Sequence, residues 1–445
     1  MNQSRLLAFF LFFVSFGTGT AQKAQAQYST EHYLPPLYYH EGSSGDDDSP
    51  YHFNLHLTTM ETSAFTVTIS DHDGGSAVAT YSISKTSPAT YQVDCTLVGD
   101  GAICDYLYAN QTNDGDNAKG LVLTASQPFY ARVDVNAHPQ GGSYTSKGAF
   151  AKGREFYSAQ FIHGNADNVG NFISFITTEA NTQVVITPPS GCTSWSSSGG
   201  SSNSYTYGVV HAHRSRVVAN TDASNACVGT KITSDKDIVV VTGTWSGRID
   251  DTSDGAPGRD MGVDMLVPAG GLGQDYLIHE GYDSSYAGTM AVVVATENST
   301  TVSVNGSYKT TLNAQERYEW DLPGTHNSLQ HISTSKNTMV YFQGYPTSNK
   351  SGKNNQGLMI LAPIETTNDA NGSTHVHFGD NMWDLRNDND GKVSYYVLSQ
   401  DSNVSVTYDE TSYGITSFDN ESVLSRTVNG VTWSLYRRSE GSLPG

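Results

Sequence analysis

Cysteine is scarce: four in 445 residues are too few for a disulfide-dense scaffold, and neither local pair has the C-x-x-C spacing of a zinc knuckle. Basic residues are also few, with 24 Lys and Arg against 44 Asp and Glu and a formal charge of −20. Such a surface repels phosphate backbones and anionic headgroups, which argues against nucleic acid or a membrane surface as direct partner. Apolar runs are short. Leu6 to Phe16 is interrupted only by Ser15 and falls well under the length that crosses about 30 Å of hydrocarbon, so no direct membrane insertion is expected. Catalytic signatures are missing too: there is no G-x-S-x-G, H-E-x-x-H or G-x-x-x-x-G-K-[ST]. His40-Glu41-Gly42 and His279-Glu280-Gly281 resemble each other, but neither has a second histidine four residues on.

What is present reads as an exported β protein. Arg5, the apolar run after it and Ala24-Gln25-Ala26 before Gln27 make a secretory signal peptide over residues 1–26. The whole chain is rich in Gly (43) and Tyr (26), with abundant Ser, Thr, Asn and Asp, a composition that favours strands and turns over helices.

The chain repeats itself. "NFISFITTEANTQVVITPP" from Asn171 returns as "GTMAVVVATENSTTVSVNG" from Gly288 and, earlier, as "FNLHLTTMETSAFTVTIS" from Phe53. Thr59, Thr178 and Thr296 precede Val67, Ile186 and Val304 by the same interval, and a shorter copy starts at Val393. Each copy predicts a hairpin. Continuous apolar runs (Phe172 to Ile176, Met290 to Ala295) suit strands covered on both faces; alternation such as Thr301-Val302-Ser303-Val304 suits a strand with one wet face. Other pieces recur in order: "YQVD" at Tyr91, "YEWD" at Tyr318 and loosely "RVVAN" at Arg216; then "LTASQPFYARVDV", "ITSDKDIVVVTGTW" and "ISTSKNTMVYFQGY". Gly- or Pro-marked connectors near Gly153, Pro268 and Pro363 are read as closing each unit. The expected architecture is all-β: tandem antiparallel β-sandwich modules over 27–150, 151–262 and 263–364, with a shorter fourth over 365–445. Propeller blades are the competing repeat, but they are shorter.

The order of these pieces resembles the N-terminal domain of IgGFc-binding-protein-like bacterial surface proteins, in particular those exported by Bacteroidetes through type IX secretion. The carrying residues are "EHYLPPL", "KGREFYSAQFI" at Lys152, "SDKDIVVVTGTWSGR" at Ser234, "DMGVDMLVPAGGLGQDYLI" at Asp260, and "VVVATENSTTVSVNG" with "LNAQERYEWDL". The resemblance implies extracellular β-sandwiches in a non-enzymatic binding role. Members often continue into a C-terminal sorting domain, whereas this sequence stops at "RRSEGSLPG".

Candidate site residues follow from residue type and spacing. Cys95 with Cys104 and Cys192 with Cys227 are the expected disulfides, because these pairings keep each loop inside one unit. Asp250, Asp251 and Asp254 are the leading calcium candidates, since clustered loop oxygens suit a hard cation. Asp46 to Asp48, Asp71-His72-Asp73, Asp114 with Asp116 and Asp388 to Asp390 are similar, but Asp-Gly is equally a hairpin-turn signal. His211 and His213 would share one strand face, as would His375 and His377. Trp245, beside a polar loop, is a candidate exposed platform for a ligand, with core packing as the alternative. The reading is a secreted or cell-surface adhesion protein with an extracellular protein or glycan ligand and no catalytic residues. The alternatives are a polysaccharide hydrolase, whose paired carboxylates need no local motif, and a structural stalk.

Overall fold

A computed structural model describes residues 27–38, 50–71, 77–94, 107–109, 119–137, 140–162, 169–192, 195, 204–209, 211–220, 227–247, 260–279, 290–322, 329–344, 357–364 and strands within 374–439. The expected signal peptide lies outside them. Nine strands come first: β1 (Ser29–Leu34), β2 (Leu37–Tyr38), β3 (Pro50–Thr58), β4 (Phe65–Ser70), β5 (Ala77–Ile83), β6 (Ala89–Asp94), β7 (Tyr108–Ala109), β8 (Leu121–Ala137) and β9 (Gln140–Thr145). Seven make one antiparallel sheet in the order β5-β4-β8-β3-β6, with β1 and β9 also on β8; β2 and β7 form a short parallel pair.

The same topology returns twice. β10 (Gly153–Tyr157), β11 (Val169–Thr177), β12 (Thr182–Thr187), β13 (Tyr205–Val209), β14 (Ser215–Asn220), β15 (Lys231–Gly247) and β16 (Asp260–Met265) form the second sheet, ordered β13-β12-β15-β11-β14 with β10 and β16 on β15. β17 (Gly273–His279), β18 (Met290–Ala295), β19 (Thr300–Val304), β20 (Ser307–Leu312), β21 (Arg317–Asp321), β22 (Leu329–Gly344) and β23 (Gly357–Ile360) repeat it as the third. Of the connectors read near Gly153 and Pro268, the first contains β10, which opens the second sheet, and the second lies between β16 and β17, the opening strand of the third. The last strands are β24 (Thr374–Gly379), β25 (Ser394–Ser399), β26 (Ser405–Tyr408), β27 (Thr411–Gly414), β28 (Leu424–Val428) and β29 (Val431–Ser439). They make a smaller four-stranded sheet and a two-stranded one. The fold is all-β, in tandem modules.

Each seven-stranded sheet folds into two layers because one long strand serves both. Residues 231–234 of β15 pair with β12 and β10, and its second half, from Ile238, pairs with β11 and β16. Asp235 to Asp237 mark the bend between them. β10 bridges the corner: Gly153 pairs with Ile238 but Glu155 with Thr233. The repeated threonines hold this bend. Thr59, Thr178 and Thr296 each donate their hydroxyl proton to a carbonyl at the corner of the long strand, on Pro128 (2.9 Å), Asp237 (2.7 Å) and Asn337 (2.6 Å). In the second and third sheets, corner side chains also bind the neighbouring hairpin. Gln183 N donates to Asp235 Oδ1 and Thr301 N to Ser335 Oγ, while Lys236 and Lys336 reach the carbonyls of Ala180 and Asn298.

The sheets do not form separate cores. On β11, Phe172 and Ile176 face the core of the first sheet, whereas Ile173 and Phe175 face the second. Val217 with Ala219 and Val239 with Val241 join the first core; Val218, Ile238 and Val240 join the second. β18 repeats the pattern in the next sheet: Met290, Val292 and Val294 enter the second core, and Ala291, Val293 and Ala295 the third. A layer covered on both faces has no wet side, which is why these strands read as continuous apolar runs. Burying each such side chain contributes about 1.5–3 kcal/mol as an upper bound, so the five large ones facing the first core rival the whole stability of an ordinary domain.

Candidate interaction surfaces

Between the first and second sheets, aromatic rings fill the gap. Tyr38 stacks on Phe172 (centroids 6.2 Å) and Tyr108 meets Trp245 edge-on (6.1 Å). Gly170 is required here: a Cβ would lie 2.2 Å from the Tyr38 ring, and its φ of +72° suits glycine. Trp245 is 0% exposed, so it is not an open platform for a ligand. Its place late in β15, on the same face as Val239 and Val241, turns the indole into the shared core, and among the described residues its Nε1 has no hydrogen-bond partner.

A polar clasp ties three sheets together. Lys147, in the linker after β9, donates from Nζ to Asp264 Oδ1 (2.7 Å) and to the Met265 carbonyl. Asp264 on β16 also accepts from its neighbour Met265 N (2.7 Å) through Oδ1 and from Ile360 N on β23 (2.8 Å) through Oδ2. Both charged residues are 7% exposed. A buried pair this well satisfied contributes modest net stability but is costly to break from one side. Tyr144 lies near enough that Asp264, after burial itself, pushes its phenol pKa well above the usual range. Close by, His32 is fully buried between Ser146 Oγ (2.9 Å, at Nδ1) and the Phe129 carbonyl (2.9 Å, at Nε2). The carbonyl requires Nε2 to carry the proton, leaving Nδ1 to accept from Ser146. Burial holds the imidazole neutral, with its pKa lowered to about 4.

Other expected residues fall in different settings. Cys192 and Cys227 are bonded, closing a loop of separation 35 that contributes about 3–4 kcal/mol by loop entropy. Cys95 and Cys104 lie outside the described residues, as do Asp250, Asp251 and Asp254 and, apart from Asp71, the other acidic loops. His211 and His213 are not on a strand face. They occupy the turn before β14, where His213 adopts φ +59° and lies 5.8 Å from the Tyr33 ring. Gln315 fills the equivalent position in the third sheet, at φ +70°, with Nε2 donating to the Thr187 carbonyl of the second sheet (2.7 Å). No group of three or more metal-binding side chains occurs among the described residues. His375 and His377 fall on β24, whose side chains are outside the described set.

One broad face stays wet. On β3 the apolar Phe53, Leu55 and Leu57 point inward, while Asn54 and His56 point away. His56 is held by Asp134 (2.7 Å) and Thr90 (3.0 Å), and Arg132 donates to Asp134 (2.9 Å) and Ser143 (3.2 Å). This face matches the side of β11 that the first sheet covers.

These repeated pieces have relatives. Residues 149–380 match the family described as IgGFc binding protein. The chain belongs to that family. The match begins just before β10 and takes in the second and third sheets, so it covers the clasp's Asp264 and Ile360 and the Cys192–Cys227 bond. A search of curated proteins finds no match. Among solved structures, a GH78 family rhamnosidase of Bacillus sp. GL1 aligns at 8% identity over 78% of this chain and 56% of that one, with a TM-score of 0.14, too low to carry any argument. No helix among the described residues is long and apolar enough to cross a membrane.

Proposed function

We propose that this family member is an extracellular, non-catalytic protein-binding scaffold, in which stacked β modules hold ligand-contacting loops in fixed relative positions. The observation carrying this reading is the double burial of β11 and β18, which makes neighbouring modules one body. Rigid spacing of repeated units favours simultaneous contacts and hence avidity. The family's name supports a protein ligand in particular. The leader-like residues before Gln27 and the Cys192–Cys227 bond support export to an oxidising compartment. In the finer form of this proposal the chain is type IX cargo held at a Bacteroidetes cell surface, with calcium bound at Asp250, Asp251 and Asp254.

The test is a binding assay of the purified chain against immobilised immunoglobulin Fc and a panel of extracellular proteins, run beside a polysaccharide-hydrolysis assay. Saturable retention of a protein without sugar release is expected. Sugar release with no protein retained would overturn the proposal. If chelation leaves the melting temperature unchanged, the calcium element falls alone.

A further inference from the structure

The two ends of each curled sheet face one another: β13 and β14 are the outer strands of the second sheet's order. Across this seam Arg216 of β14 lies over the Tyr207 ring of β13, 4.6 Å from its centroid, and Tyr207 contacts Phe175 at 6.5 Å. Arg216 pairs with Phe175 in the ladder and is 9% exposed. Among the described residues no carboxylate pairs with it, and its buried Nε has no acceptor. A guanidinium keeps its charge at any ordinary pH, so burying its Nε–H without an acceptor is costly, and a ring face offsets only part of that cost.

The repeat shows that the fold does not need arginine here. The register-matched positions in the third sheet are Tyr318, paired with Val293 as Arg216 is with Phe175, and Thr310, paired with Val302 as Tyr207 is with Val184. The first sheet closes its seam with Tyr81 and Tyr91, rings 6.3 Å apart. Two of three seams are therefore lined with neutral side chains at these positions, and the second carries a guanidinium that stacks on an aromatic face and whose buried Nε has no acceptor.

We propose that Arg216 and Tyr207 form an anion-binding site that receives a carboxylate of the protein ligand. A planar carboxylate matches the guanidinium fork. The chain's charge of −20 disfavours a polyanion, so a single monovalent group is the occupant that one cation can hold. The inference rests on the protein-binding reading above, but its site is testable alone.

The experiment is a titration of the whole chain with acetate, followed by nitrogen-edited spectra of the Arg216 side chain, with sodium chloride at equal ionic strength as control and inorganic phosphate as a second probe. Acetate should give a saturable shift in the millimolar range that chloride does not. Arg216→Tyr, which copies the third sheet, should keep the fold and thermal stability while abolishing the acetate response, read there on the Tyr207 ring. Arg216→Lys should weaken it about tenfold by losing the fork. An acetate response that survives in Arg216→Tyr, no saturable response in the parent chain, or tighter binding of phosphate would overturn the proposal. Once a protein ligand is in hand, unchanged affinity for Arg216→Tyr would sink this site and leave the scaffold reading intact. Acetate binding with no protein retained would sink the scaffold reading and leave the site.

Discussion

β3 and β11 hold the same position in consecutive sheets, yet one is wet on its outer face and the other is dry on both. Asn54 pairs with Asp134 on β8, as Phe172 pairs with Gly243 on β15. Counted from the corner carbonyls of Pro128 and Asp237, Asp134 and Gly243 are the same position, so Asn54 and Phe172 are register equivalents. The difference teaches that what covers a layer, and not its topology, dictates its residues. The first sheet's outer layer caps the stack with Asn54, His56 and Arg132, whereas β11 and β18 carry apolar side chains because a preceding sheet lies on them. Stacked-repeat proteins use polar outer faces on terminal units for the same reason.

Exchanging the two residues breaks the comparison most severely. Phe172→Asn should cost about 4 kcal/mol or more, from a lost aromatic side chain and a buried amide without partners. Asn54→Phe should change stability by no more than about 0.5 kcal/mol, since the ring stays in water. Chemical denaturation of both variants checks this, and equal costs would remove the distinction. Removing one side of the clasp comes next: Lys147→Met strands Asp264 and should cost about 3–4 kcal/mol, whereas replacing both residues with apolar ones of similar volume should recover most of the loss.

His32 sharpens the contrast by pH. Its folded pKa of about 4 lies below the unfolded value of 6.5, so its contribution is fully present above pH 6.5 and declines as pH falls toward 4. The loss should approach about 3 kcal/mol, while His32→Gln should flatten that region of the stability profile. His213, whose pKa is lowered by burial and then by Lys152, should add a smaller loss of the same sign. Smallest is the corner: Thr178→Val should cost about 1 kcal/mol by removing one hydrogen bond to the Asp237 carbonyl.

Much of this was legible in the residues. Alternation in "FNLHL" against continuity in "NFISFI" and "MAVVVA" is a direct record of one wet face and none. The recurring threonines marked a true structural position, although their partners, about 40–70 residues away, were not readable from spacing. The repeated "YQVD" and "YEWD" misled by two residues. Tyr91 pairs with Leu55, whereas Tyr318 pairs with Val293, whose equivalent is Leu57. Arg216 and Tyr318, only loosely alike in sequence, share the same register. "ITSDKDIVVVTGTW" looked like one strand and is one, but nothing local says that it bends at Asp235 to Asp237 to serve two layers. Trp245 was ambiguous because its neighbours are polar, and its burial depends on a module that precedes it in the chain. The Lys147–Asp264 pair joins residues 117 apart, beyond any local pattern.

The central claim is that adjacent sheets share one core. Amide hydrogen exchange on Phe172→Asn tests it directly, strand by strand. Shared packing predicts that protection falls in β3 and β8 of the first sheet as well as in β11 and β15 of the second. Loss confined to the second sheet, with β3 and β8 as protected as in the parent chain, would show that the modules fold as separate beads.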